Sequence, residues 1–565
     1  MKTDWYKNAI VYQVYPFSFK DSDNDGWGDI KGILSKLDYI KDLGVTAIWF
    51  SPLYKSPDYD YGYDISDYKA IDEKFGTMED FDLLLKECHK RDLKVIMDMV
   101  INHTSIEHEW FKKAIEDPKS EYRDYYIIRK GRQKHNLLFP PTNWNSTFTG
   151  SAWERIGDTG DYYLHLFCKE QADLNWENPK VRDEIVDILN FWLDKGVDGF
   201  RFDVFNMFSK VYPLKDSNTN SFQKGSEYFV DGPRIHEFLK EINERSLSHY
   251  DCYTVGESYH PSVENARAYV KKENRELDTI FNFAHLDSDN INSMKFFPKP
   301  FDLRQFKKGL FDPQVYNYKD SWNTLVLENH DNPRSVSRFG IDDKHYRYEA
   351  ATMLAAVMYM GYGTPFIYMG QEAGLTNCDF KNIREMMDPV SHFVYDLMTG
   401  FGMPKGLAFR FIRYGARDHS RVPIAWDDSA NGGFNEGHAP WQCVNPLYPE
   451  INVKKDLENE KSVYRFYQKL LRVRRRRREV LMGETREYDH RNRRIIAYSR
   501  TYEGKRLFVC ANFSKHTTIY QLPDGFEDYR IILNNYDSLG RNGQKVRLRP
   551  YQAVVLADSR TPQRS

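Results

Sequence analysis

The chain has 565 residues, enough for a large core and more than one domain. Acids and bases nearly cancel, for a formal net charge of -2, which removes any general electrostatic reason to expect nucleic acid or an anionic membrane as a partner. The N-terminus MKTDWYKNAI has no apolar h-region, and nothing approaches ~18 consecutive apolar residues. Six scattered cysteines (Cys88, Cys168, Cys252, Cys378, Cys443, Cys510) make no CxxC, so free thiols and a cytoplasmic location are expected.

In chain order, the alternating run AIVYQVYPFSF (9–19) reads as a strand. DSDNDGWGD (21–29) follows, with four carboxylates that repel each other unless a cation sits among them. Asp21, Asp23, Asp25 and Gly26 match the opening of an EF-hand loop, but position twelve is Gly32 instead of Glu and the preceding element is a strand, so this is no EF-hand. It reads as a non-EF cation loop or a turn of hydrogen-bonded Asp side chains.

Strand and helix signals then alternate. VTAIWFSP (45–52) is a strand, EDFDLLLKECHKRDL (79–93) a helix and VIMDMVINH (95–103) a strand. The region from about 105 to 172, with Pro140-Pro141, breaks the rhythm and reads as a loop-rich insertion after the third strand. The helix at 181–196 ends in Gly196 and leads to the strand VDGFRFD (197–203). The helix at 232–247 leads to YTVGES (253–258), and the strand SWNTLVLENHD (321–331) is followed by a helix at 347–360 and the strand GTPFIYMG (363–370).

Repeated βα units predict an α/β fold, specifically a (β/α)8 TIM barrel, over residues 1–104 and 173–482, with an inserted domain at 105–172. Short alternating strands after residue 483 predict a C-terminal antiparallel β-sandwich domain, 483–565. LRVRRRRREV (471–480), with six Arg among the seven positions 472–478, reads as a solvated last barrel helix, since no other basic face extends it.

In a TIM barrel, catalytic groups sit at the C-terminal ends of strands. Here those ends carry Asn102-His103, Arg201 and Asp203, Glu257, and His330-Asp331. One such acid is more often a helix cap; three of them with two His and an Arg suit glycoside chemistry, one carboxylate attacking the anomeric carbon and a second carboxyl protonating the leaving oxygen.

DMVINH, GFRFDVFN, VGES and ENHD resemble the four short sequence regions of the α-amylase superfamily, glycoside hydrolase family 13. Flanking stretches such as GYD (62–64), QADLNWEN and RDHSRVP are similar to its oligo-1,6-glucosidase group. The resemblance implies Asp203 as nucleophile, Glu257 as acid/base with a pKa raised by acidic neighbours, and Asp331 as the third carboxylate. Arg201 would keep Asp203 ionised. Tyr63, Asp64, His103, Phe148, Phe167, Gln171, His330 and Arg421 would shape the pocket for the non-reducing glucose, a blind pocket that makes the enzyme exo-acting. In such relatives the first loop binds one structural Ca2+ or Mg2+. Asp21, Asp23, Asp25 and Asp29 would be its side-chain ligands, and the Trp27 carbonyl would add another.

Val204 follows the nucleophile, as in the α-1,6-acting members of the group. The expected substrate is therefore an isomaltose-type oligosaccharide, and the expected assembly a monomer or homodimer without nucleic-acid or membrane partners. LENHDNPR, YMGQEAG and MMDPVSHF depart from the group's usual stretches where the leaving group binds. They leave trehalose 6-phosphate, sucrose or its isomers, and maltose as alternative substrates. A non-catalytic family member is disfavoured by the three intact carboxylates.

Overall fold

The computed structural model describes residues 3–148, 150–219 and 223–558. Eight strands form one sheet: β1 (Val11–Val14), β2 (Ala47–Phe50), β3 (Lys94–Met99), β4 (Gly199–Phe202), β5 (Tyr253–Gly256), β6 (Thr279–Ile280), β7 (Thr324–Val326) and β8 (Thr364–Tyr368). Their order is β6-β5-β4-β3-β2-β1-β8-β7, and every pairing is parallel. Between β6 and β7 the ring is bridged by a side chain: Thr324 Oγ1 donates to the Ile280 carbonyl at 3.0 Å and accepts the Asn282 N–H at 3.1 Å. This is a nearly closed (β/α)8 barrel. Its strands are almost wholly buried, as parallel strands covered by helices must be.

The helices of the barrel layer include α1 (Leu37–Leu43), α2 (Met78–Lys90), α3 (Pro179–Lys195), α4 (Ile235–Arg245), α5 (Val263–Val270), α6 (Leu303–Tyr316) and α7 (Arg347–Tyr359). Two more, α8 (Pro389–Gly400) and α9 (Lys405–Gly415), stand on the long excursion after β8, and α10 (Val463–Arg476) completes the layer. Helix α3 shows how sequence sets the bounds. Asn178 caps its start by accepting the Lys180 N–H, Pro179 occupies the first turn, and Gly196 ends it at φ 104°, a conformation that favours glycine.

The structure adds α1, β6, α5, α6, α8 and α9 to the elements read from sequence. β6 has only two residues, too few to carry a periodic signal. SWNTLVLENHD shrinks to the three residues of β7, because the residues after Val326 turn into the site instead of continuing the ladder. The arginine run is not wholly solvated. Arg474 is buried and donates to the carbonyls of Tyr359 (2.7 Å), Gly361 (2.9 Å) and Gly363, and Arg477 turns in toward Glu479. Arg472, Arg475, Arg476 and Arg478 face out.

Between β3 and α3, the strands Ile128–Lys130, Trp153–Arg155 and Asp161–Leu164 form a three-stranded antiparallel sheet. The chain returns through Gln171–Asp173, which pairs antiparallel with His103–Ser105 just beyond β3. In that register Gln171 faces Ser105 and Asp173 faces His103, and the Gln171 side chain reaches His103 along the shared face. At the C-terminus a five-stranded and a three-stranded antiparallel sheet pack together. In Ile495–Tyr502, alternate residues face opposite ways: Ile495 and Ala497 toward the second sheet, Ile496 and Tyr498 toward the barrel, where Tyr498 Oη donates to the Val357 carbonyl. Among the described residues no helix is long and apolar enough to cross a membrane.

Candidate active site

The register of the sheet assembles the centre. Arg201 on β4 pairs in the ladder with Asp98 on β3 and Val255 on β5, so the residues just beyond β4 and β5 lie side by side. Arg201 is 1% exposed, and its guanidinium joins three carboxylates: Nη1 reaches Asp98 Oδ1 and Asp203 Oδ1, each at 2.7 Å, and Nη2 contacts Glu257 Oε2. One guanidinium fork therefore sets Asp203 and Glu257 beside each other. The group that Glu257 meets is this cation, where the sequence reading looked to acidic neighbours. Asp98 also accepts from Tyr63 Oη (3.0 Å) and Trp49 Nε1 (3.2 Å). Burial pushes the Asp98 carboxyl up to about 7, against the pull of Arg201.

His330 and Asp331 lie in the turn beyond β7. The His330 ring stacks on Tyr63 (centroids 5.3 Å apart, 3° between planes), with Nε2 2.7 Å from Tyr63 Oη and Nδ1 2.8 Å from Gln13 Nε2. Burial, with Arg421 and Arg201 nearby, pushes its pKa down to about 3 against the pull of Asp331, so the imidazole is neutral. Asp331 meets Arg421 Nη2 at 3.0 Å, Arg417 Nη1 at 3.2 Å and His330 Nε2 at 3.2 Å, and Lys295 Nζ donates to its backbone carbonyl. Burial alone would raise the Asp331 carboxyl; His330, Arg417, Arg421 and Lys295 override it and hold the group well below the ordinary carboxylate range.

Asp203, Glu257 and Asp331 all open onto a single cavity of about 2090 Å³. Tyr63, His103, Phe148, Phe167, Gln171, Val204 and His330 line it too. Gln171 Nε2 lies 3.1 Å from both His103 Nε2 and the Tyr63 carbonyl, and Phe167 packs against Phe148 and His103. Val204 holds φ 35°, a left-handed conformation that strains a β-branched residue, and is 8% exposed.

Two expected pocket residues are placed differently. Asp64 is fully buried and does not line the cavity. Its carboxylate accepts from Ser56 Oγ and from the backbone N–H groups of Tyr59 and Asp60, each at 3.0 Å, and burial pushes it up to about 7. The tight loop YDYGYD consumes this second acid in its own turn and presents the first: Asp60 lines the cavity, 3.2 Å from Gln171 Nε2 and 3.3 Å from Arg417 Nη2. Arg421 likewise stands behind the cavity wall, its Nε donating to the His330 carbonyl at 3.0 Å, whereas Arg417 lines it.

Sequence reasoning missed Asp60, Asp98, Lys295 and Arg417. The signal for Asp98 was an acid inside an apolar strand, which must find a cation when buried. Arg417 and Asp60 sit four residues from the residues chosen in their motifs. Asp388, bound to Arg417 through 2.5 and 3.1 Å contacts, comes from a loop, and Lys295 from the short strand Met294–Pro298. Burial pushes the Lys295 ammonium down to about 7, against the pull of Asp331.

In the first loop, Asp21, Asp23 and Asp29 each bring an oxygen within 4.8 Å of the others. Asp25 stands outside this trio; its Oδ1 accepts the Trp27 N–H at 2.8 Å. Several of the loop's carboxylates also take backbone donors: Asp21 accepts from Asn24 and Gly26, and Asp29 accepts from Ser22 and caps the helix after it through Gly32. Asp23 is pushed up by burial and then by the charges of Asp25, Asp29 and Asp21, a crowding that a cation would relieve.

The family description "Alpha amylase, catalytic domain" matches residues 13–483, and "Alpha-amylase SusG C-terminal domain" matches 495–555. An oligo-1,6-glucosidase of Parageobacillus thermoglucosidasius is 46% identical over 562 residues, covering 98% of this chain and 99% of that one. A trehalose-6-phosphate hydrolase of Bacillus subtilis is 43% identical, with 98% of each chain covered. Among solved structures, the isomaltulose synthase of Erwinia rhapontici superposes with a TM-score of 0.95 at 39% identity, covering 98% of this chain and 99% of that one.

Proposed function

The chain belongs to the α-amylase family of glycoside hydrolases, and from that premise we propose a retaining, exo-acting α-glucosidase that releases glucose from the non-reducing end of α-1,6-linked gluco-oligosaccharides. The observation that carries it is the pair Asp203 and Glu257 on the two Nη atoms of Arg201. Carboxylates sharing one fork suit the ~5–5.5 Å spacing of retaining enzymes; inverting enzymes need ~6.5–9.5 Å to admit a water.

Asp203 attacks the anomeric carbon and forms a glucosyl ester while Glu257 gives its proton to the departing oxygen. Glu257 then takes a proton from the water that hydrolyses the ester. Arg201 aims the nucleophile through its 2.7 Å contact with Asp203 Oδ1. Asp331, kept ionised by its cations, binds sugar hydroxyls and favours the positive charge that builds on the ring. The Asp60–Arg417 pair beside Gln171 offers donors and acceptors to the hydroxyls of a terminal sugar, which supports exo action. The close relatives named oligo-1,6-glucosidase, and Val204 on the cavity wall, support the α-1,6 preference.

A second reading keeps the chemistry and changes the leaving group to an anionic sugar such as a sugar phosphate. It is favoured by Lys295 and Arg417, two cations on the cavity wall. Initial rates on isomaltose, isomaltotriose, maltose, sucrose, isomaltulose, trehalose and trehalose 6-phosphate decide between them. Isomaltose and isomaltotriose are expected to lead; a lead by trehalose 6-phosphate overturns the first reading in favour of the second.

In the first loop we propose a structural Ca2+ or Mg2+ held by the side chains of Asp21, Asp23 and Asp29, with the Trp27 carbonyl as a further oxygen. When bound, the ion would neutralise the crowded carboxylates and order the loop; the reacting groups lie elsewhere.

A further inference from the structure

We propose that Cys378 and Cys443 form a redox-active pair that closes to a disulfide across the base of the excursion carrying α8 and α9. Their sulfurs lie 4.0 Å apart. A disulfide needs about 2.05 Å, so the gap to close is only about 2 Å. Their segments are already tied at this point: Asn445 Nδ2 donates to the carbonyls of Thr376 at 3.0 Å and Asn377 at 3.3 Å. Cys443 is exposed and Cys378 buried, so an oxidant meets one thiol and leaves the other to resolve it. The sulfur–sulfur contact lowers the pKa of Cys443 and, with burial, raises that of Cys378, which favours Cys443 as the attacking thiolate. The other four cysteines are all buried.

With a peroxide as oxidant the electrons balance. The Cys443 thiolate attacks one oxygen of hydrogen peroxide, the O–O bond breaks, and hydroxide leaves behind a sulfenic acid. Cys378 then attacks that sulfur, the S–O bond breaks, water leaves, and the S–S bond forms. Two thiols lose two electrons, and one peroxide becomes two waters.

The disulfide would close a loop holding Asp388, Arg417 and Arg421, which support Asp331. The link to the site is short. Gln442, beside Cys443, donates to Asp418 Oδ1 at 3.0 Å; the same oxygen accepts the backbone N–H groups of Met387 (2.6 Å) and Asp388 (3.1 Å). Cross-linking would hold the base of this network and slow the opening of the excursion.

The full-length enzyme, loaded with its divalent ion, is treated with stoichiometric hydrogen peroxide and digested without reductant. The expected result is a peptide cross-linked between Cys378 and Cys443, loss of two of six thiols, and full reversal by dithiothreitol. The oxidised enzyme is also expected to show a several-fold longer half-life of thermal inactivation, absent in Cys443→Ser and Cys378→Ser treated alike. Oxidised chains whose Cys378 thiol stays free, with Cys443 overoxidised or joined to a second copy, overturn the pair. An unchanged half-life in the cross-linked enzyme overturns its clamping role.

Discussion

The cavity has two charged halves built in different ways. The inner half, Asp98, Arg201, Asp203 and Glu257, stands on strands β3, β4 and β5 and the residues just beyond them. It sets three carboxyl groups against one guanidinium, so acids outnumber the cation even with Glu257 protonated for its role as acid. The outer half joins Asp60, Asp331 and Asp388 to Arg417, Arg421 and Lys295, three acids against three cations, most of them supplied by loops. An excess of negative charge suits a site where positive charge must develop; a balanced set suits a clamp. The difference teaches that substitutions inside should act on turnover with the fold kept, whereas those outside should act on stability and on the choice of leaving group.

The largest effect expected is inside. Asp203→Ala or Glu257→Gln should lower kcat by on the order of 10⁴-fold or more with an unchanged melting temperature; near-normal turnover in either variant sinks the assigned roles. Outside, Asp388→Asn removes the nearest of the three carboxylates around Arg417, leaving Asp60 and Asp331, and should cost about 2 kcal/mol of stability at pH 7, read by chemical denaturation. The sign of its pH dependence follows from the depressed pKa. Burial alone would raise the Asp388 carboxyl, but Arg417 and its fellow cations hold it at about 2. Its contribution is thus complete above the unfolded value of about 3.9 and fades as pH falls through about 2. The gap between wild type and variant should narrow over that window; a gap that stays constant from pH 5 to 2 contradicts the ion pair.

Val204→Ala stands between the halves. Removing the branched wall beside Asp203 should shift the isomaltose-to-maltose ratio of kcat/KM about tenfold toward maltose; an unmoved ratio takes Val204 out of linkage choice. The smallest effect lies away from both halves. Chelation with EDTA should lower the melting temperature by a few degrees, reversibly on adding Ca2+ or Mg2+, because a ligand of the folded state stabilises by mass action. Asp23→Asn should abolish that response. A melting temperature indifferent to chelator in the wild type argues for a hydrogen-bonded turn in place of a cation.

The inner half was legible before the structure because its residues lie within a few positions of apolar strands, where a strand end points its next side chain into the mouth of the barrel. The outer half was legible only in part. In YDYGYD the sequence offers two acids, and choosing Asp64 over Asp60 fails because the loop's own N–H groups capture Asp64. In RDHSR it offers two arginines, and their exposure, not their type, separates Arg417 on the wall from Arg421 behind it. Lys295 and Asp388 carried no signal at all, since each gains meaning from a partner more than 25 residues away.

By itself, then, the sequence determined the repeated strand–helix order, the C-terminal sheets and the three carboxylates at the barrel mouth. These follow from periodicity and from chain-local geometry, which neighbouring residues settle between themselves. Only the tertiary structure decided which acid and which arginine face the sugar, which Arg of the basic run is buried, and that Cys378 meets Cys443. Those outcomes depend on desolvation and on charges brought together from distant segments, and neither has a value until the chain has folded.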